Sequence, residues 1–291
     1  MSAAVRPLYW SIRRELWENR SLIVAPLIVT ALILFGFMIS TVRLPGRTRA
    51  LAAKSAAAQQ EAVTRPYNTI AGMLMATAFI VGAFYCLDAV HGERRDRSLL
   101  FWKSLPVSDR TAMTGKLAIP LVVLPTVVLV LSFLTRIVML FFSTVRLLGD
   151  PASLGRHWTY VKFTQSMIAL VYALLAIALW HAPIYAWFLL VSSWAKRAVI
   201  LWAVLPSVVL CVLERITSNT SWLSRFFVDR MVGWFPLAFD IPPATNTVAF
   251  DPLSRISLGH YLGSGGLWFG LIAAAAFFAV TIRLRRTQEP I

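Results

Sequence analysis

The sequence predicts an all-α integral membrane protein with six transmembrane helices. Three observations carry this. Of the 291 residues, 58% are hydrophobic and 14% charged, with a mean hydropathy of +0.69, whereas a soluble globular chain carries about 25% charged residues. The apolar residues gather into six long runs, most of them near the ~20 residues that a helix needs to cross hydrocarbon. Lys and Arg gather beside those runs, so the net charge of +15 reads as topology and attraction to anionic lipid rather than as a nucleic-acid footprint. No stretch between the runs suffices for a separate soluble domain, and 1–291 reads as a single transmembrane domain.

In chain order, residues 1–21 hold Arg6, Arg13, Arg14 and Arg20 with Glu15 and Glu18. Among them Leu8, Ile12 and Leu16 follow i, i+4 spacing, flanked by Trp10 and Trp17. That pattern predicts an amphipathic helix lying in the membrane interface; the alternative is a plain basic flank. The first span covers 22–42, and its apolar run is longer than a signal-peptide core, so it reads as retained. Residues 43–68 are polar and alanine-rich, which favours a short outer helix with little apolar face. Further spans are expected over 70–87, 117–142, 163–191, 198–213 and 267–282.

The third span contains Pro120 and Pro125, which bend or loosen it. Its Arg136 reads first as a charge snorkelling from near the outer end, and second as a substrate contact. In the fourth, His181 lies between Trp180 and Trp187, an aromatic-belt pattern that suggests interfacial depth ahead of a functional histidine. The basic turn 192–197 joins spans four and five. Residues 214–265 are too rich in Trp, Phe and Pro for a free loop and predict short helices lying in, or dipping into, the outer interface. Span six opens with Gly266 and Gly270, a Gly-x-x-x-Gly pair suited to packing within its own bundle ahead of dimerisation.

Six spans place both termini on one side. Slightly more than half of the 28 Lys and Arg lie there, in shorter segments and close to the span ends, so the positive-inside rule puts both termini in the cytoplasm. Cys86 and Cys211 both sit in or beside apolar runs and predict neither a disulfide framework nor a metal site.

Catalytic patterns are missing. Gly115-Lys116 resembles the end of a phosphate loop, but Arg110 stands where the earlier glycine belongs and Leu117 follows the lysine. His91, His157, His181 and His260 are scattered with no metal spacing, and neither His-Glu-x-x-His nor Gly-x-Ser-x-Gly occurs. The chain is therefore not expected to be an enzyme or to bind a cofactor or metal. Intramembrane carboxylates are scarce, with Asp88 the one candidate at a span end. That disfavours an ion-coupled secondary transporter or a channel acting alone, which is kept as the alternative.

The stretch from Asp88 to Lys116 separates spans two and three. It is dense in charge around an apolar knot, Leu99-Leu100-Phe101-Trp102, followed by Pro106 and the helix-starting pair Ser108-Asp109. It reads as a cytoplasmic loop with a short helix that docks onto a partner; the plainer reading is a solvated loop that only orients its neighbours.

The run Glu93-Arg94-Arg95-Asp96-Arg97-Ser98-Leu99-Leu100, then Leu105-Pro106-Val107-Ser108 and Lys116, resembles the coupling loop in the membrane subunit of ABC-2 type ATP-binding-cassette transporters. The order of spans resembles that family over the whole chain. The resemblance implies a permease that pairs with a second permease copy and docks a separate ATP-binding subunit, which carries ATP and Mg, to export a substrate across a bacterial cytoplasmic membrane. It also implies that Leu99, Leu100, Phe101 and Trp102 anchor the coupling helix while Glu93, Arg94, Asp96, Arg97 and Lys103 set its register by charge. It likens the N-terminal helix to a lever and the outer aromatic region to re-entrant helices capping the substrate path. The substrate is left open, and no nucleic acid is expected.

Overall fold

A computed structural model describes residues 5–96, 108–239, 253 and 255–287. Those residues are overwhelmingly helical, with no strand among them. Six helical segments are long and apolar enough to cross a membrane, and the protein is a multi-pass membrane protein.

Helix α1 (Val5–Glu18) is followed after a two-residue break by α2 (Ser21–Thr41), the first span. A short α3 (Leu44–Leu51) leads to α4 (Ala56–Asp88). Here the structure corrects the expected boundary: the alanine-rich segment is not a separate outer helix but the first turns of span two. Ser55 caps it by accepting from the Ala58 N–H, and alanine adds helical turns at little entropic cost, so the helix runs well past the hydrophobic stretch. After α5 (His91–Arg95), span three begins at α6 (Asp109–Ala118), capped by Ser108 as the sequence suggests.

Residues Ile119–Val123 form a π turn before α7 (Leu124–Leu147). The two prolines explain it. Pro125 has no N–H to give, and the register shifts so that the Leu124 N–H reaches Ile119 O. Then come α8 (Pro151–Val161), α9 (Phe163–Trp194) as span four, and α10 (Val199–Ser218) as span five. The aromatic region forms α11 (Trp222–Val232), α12 (Trp234–Phe239) and α13 (Leu258–Gly263) before α14 (Gly265–Thr287), the last span.

The core lies where α4 and α9 meet the π turn and α7, and it includes Leu74, Cys86, Val128, Met139, Leu174 and Leu189. Helices α9 and α14 share the most extensive helix–helix surface, lined by small residues such as Ala182, Ala186 and Ala274. Helix α10 buries only Val199 and Ala203, and the Trp187 indole donates to Ala203 O at 3.0 Å. Exposed apolar side chains such as Leu32 and Phe269 face the surroundings, as a lipid-embedded surface requires.

Gly82 of α4 sits against the π turn. A Cβ there would meet Leu124 Cδ1 at 3.1 Å, Tyr185 Cε1 at 3.2 Å and Pro120 Cβ at 3.3 Å. Replacing Gly82 with Leu should therefore cost about 1–3 kcal/mol by overpacking, read as a lower detergent melting temperature; Gly72→Leu, where an added Cβ meets nothing within 4 Å, should leave melting nearly unchanged.

Candidate functional site

The end of span two passes through Ala89 and Val90, both with right-handed helical backbone, into α5, and side chains from distant segments hold that junction. The Ser192 hydroxyl of α9 accepts from the backbone N–H groups of Val90 at 3.2 Å and His91 at 3.0 Å. Arg94 Nη1 donates to Ser193 O at 2.7 Å, and His91 Nδ1 lies 3.2 Å from Ala195 O. These partners satisfy carbonyls that the C-terminal end of α9 cannot pair internally. The base of the 2–3 loop is thereby fixed to the end of span four.

The next residue inward is Glu93, 9% exposed. Its Oε1 accepts from Arg14 Nη2 at 2.7 Å and lies 3.1 Å from Lys116 Nζ, while its Oε2 is 3.4 Å from Arg285 Nη2. Lys116 reaches Glu15 Oε1 at 2.8 Å, and the Tyr85 hydroxyl donates to Glu15 Oε2 at 2.8 Å. Arg285 also reaches Asp109 Oδ1 at 3.3 Å. Glu15 and Lys116 are each 2% exposed. One cluster thus joins α1, the ends of α4 and α5, the start of α6 and the end of α14, which also places both terminal segments at the same end of the bundle.

Local packing sets the geometry. Ile12 and Leu16 of α1 pack into the core while Tyr9, Trp10 and Trp17 stay exposed, so the apolar stripe faces the protein. Glu15 falls on that inward face. Gly115, next to Lys116, lets α1 come close: a Cβ there would meet Ser11 Oγ at 2.6 Å. Burial works against the Arg14 charge, but Glu15, Glu93 and Glu18 outweigh it and hold its pKa above the ordinary guanidinium value.

Of the residues expected to dock a partner, Glu93 and Arg94 are directed into the protein and engaged there. Asp96 is exposed and pairs with Arg95 at 3.1 Å. Arg97, Leu99, Leu100, Phe101, Trp102 and Lys103 lie outside the described residues. Sequence reasoning missed Glu15, Tyr85 and Arg285 as partners. The Glu15 signal was available: a carboxylate one helical turn from Ile12, on the face that carries the apolar stripe.

At the opposite end, two expectations are corrected. Trp180 and Trp187 do not form a belt around His181: Trp180 and His181 are both 4% exposed and receive α11, while the Trp187 indole bonds Ala203 O. The Trp180 indole donates to Asp229 O at 3.2 Å, and His181 Nε2 lies 3.0 Å from Met231 O. They bond carbonyls in the last turn of α11, where Asp229 O is shared with the Gly233 N–H. Glu214 starts the same helix, accepting from the N–H groups of Trp222 at 2.7 Å and Leu223 at 2.9 Å. Gly266 and Gly270 leave room for side chains rather than for a second backbone, since Cβ atoms there would press on Trp180 and overlap the Arg230 guanidinium. Arg136 does not snorkel. It is 3% exposed and lines a cavity of about 570 Å³ between α4, α7, α9 and α12.

Removing one member of a buried ion pair leaves its partner uncompensated, at a cost of about 3–5 kcal/mol. Glu93→Gln and Lys116→Met should each lower the melting temperature strongly in a tryptophan-fluorescence scan, whereas Asp96→Asn, in an exposed pair, should cost less than about 1 kcal/mol. Comparison with family models, with curated proteins and with solved structures yields no match for this chain.

Proposed function

We propose that the chain is the permease subunit of an ABC-2 type transporter and exports its substrate with a separate ATP-binding subunit. The observation that carries this reading is the anchoring of the 2–3 loop. A loop that only linked two spans would need no buried charge at its base. This one is tied to α1, α6, the end of α9 and the end of α14 through Glu93 and Arg94, an arrangement suited to passing a push on the loop into several spans at once.

In this reading Leu99, Leu100, Phe101 and Trp102 bury into a groove on the ATPase, and Asp96, Arg97 and Lys103 set the register by charge. Glu93 and Arg94 transmit rather than dock. ATP and Mg stay on the partner. Helix α1 lies in the cytoplasmic interface with Trp10 and Trp17 toward lipid; the Arg13 guanidinium stacks over both rings at 5.2 and 4.6 Å. Both termini are cytoplasmic, the membrane is a bacterial inner membrane, and α11 and α12 act as re-entrant helices near the substrate path. A second permease copy completes the complex.

Affinity purification from the native host in mild detergent tests the proposal. Wild type should bring down a soluble ATP-binding protein, and a Leu100→Asp, Trp102→Ala variant should lose it. Absence of any ATPase from both preparations would contradict the reading. Glu93→Gln should keep at least part of the capture but reduce ATP-driven flux.

A further inference from the structure

The cavity at the far end of the bundle from the ion cluster has apolar walls, among them Phe79 of α4, Ala173 of α9 and Phe239 of α12. Its volume of about 570 Å³ falls inside the range of roughly 300–1,000 Å³ typical of small-molecule sites. Into this setting α7 places Arg136. Among the described residues no carboxylate, hydroxyl or carbonyl bonds its guanidinium, and its buried Nε has no hydrogen-bond partner. Its nearest compensation is the Tyr67 ring, 6.0 Å from Arg136 Cζ to the centroid, at the outer limit of a cation–π contact.

A buried cation without a counter-charge is costly, and buried charges are as a rule paired. The ion cluster in this same chain follows that rule; Arg136 departs from it. The guanidinium fork suits a planar carboxylate or a phosphate. Asn68 and Ser166 also line the cavity. The Ser166 hydroxyl donates to Val161 O at 3.2 Å, which leaves its lone pairs able to accept from a protonated head group.

We propose that this cavity binds an amphiphile with a carboxylate or phosphate-ester head, the head on Arg136 and the apolar body along Phe79, Ala173 and Phe239. Taken as the cargo class, the assignment rests on the export reading; taken as binding, it stands on the cavity alone.

The test uses the full chain in nanodiscs of zwitterionic lipid, titrated calorimetrically with dodecyl phosphate, with dodecanol as the uncharged counterpart, and with inorganic phosphate as the head alone. Wild type should bind dodecyl phosphate at least ~10-fold tighter than dodecanol, a difference of about 1.4 kcal/mol. Arg136→Gln should abolish that preference and Arg136→Lys should keep part of it. Gly72→Leu, which projects into the cavity from a position where a Cβ meets nothing within 4 Å, should weaken both amphiphiles. Equal binding of the two by wild type, or a preference that survives Arg136→Gln, overturns the proposal. Arg136-dependent binding of inorganic phosphate without binding of dodecyl phosphate assigns the site to a free anion and overturns the amphiphile. Neither ATP nor a partner chain is present, so failure here leaves the export reading standing, and failure of ATPase capture leaves this result standing.

Discussion

Two carboxylates held out of water, Glu15 and Glu93, organise one end of this bundle. Each is tolerable there only because cations from other segments reach it: Lys116 from span three, Arg14 from the N-terminal helix and Arg285 from the last span. Charge burial is a poor source of stability compared with apolar packing of equal volume, but it is demanding about geometry, because any displaced partner leaves a charge uncompensated. The segments that meet here are therefore held in one relative arrangement or driven together to another. In the proposed export reading, that property is what lets the base of the 2–3 loop pass a push into several spans.

The opposite end is held by a different device. There no buried ion pair is involved among the described residues: the indole of Trp180 and the imidazole of His181 bond carbonyls of a short helix whose start is capped by Glu214, and Arg230 of that helix donates to Gly266 O. Few bonds hold α11, and none of its residues is buried. Such an element opens at lower cost than the ion cluster does. The bundle thus joins a charged base to a lightly held short helix, whose Met231 and Val232 line the Arg136 cavity.

The six spans were legible because hydrocarbon imposes a length and a composition that few soluble helices meet. Boundaries were less so. Residues 43–68 read as holding a short outer helix because hydropathy falls there, yet from Ala56 on alanine continues span two without any apolar run. The π turn followed from Pro120 and Pro125 only as a loosening, since its register depends on which carbonyl the freed N–H can reach. The base of the 2–3 loop was recognised as important, but Glu93 and Arg94 were assigned outward because a charge run in sequence carries no direction. Their inward course depends on Ser193 for Arg94 and on Lys116 and Arg285 for Glu93, and two of these three, Ser193 and Arg285, lie about a hundred or more residues away. Arg136 was misread for the same reason: near a span end the sequence cannot tell a snorkelling arginine from one enclosed by α4 and α9.

The most direct test of the ion cluster as the link between these segments is hydrogen–deuterium exchange by mass spectrometry on the full chain, comparing wild type with Lys116→Met. The substitution lies in span three, far in sequence from α1 and on a different helix from α5. The account predicts faster exchange in α1, in the turn before α5 and in the last turn of α14 together, with α11 unchanged. Faster exchange confined to the first turns of α6 would contradict it, because the charges would then be neighbours without being coupled.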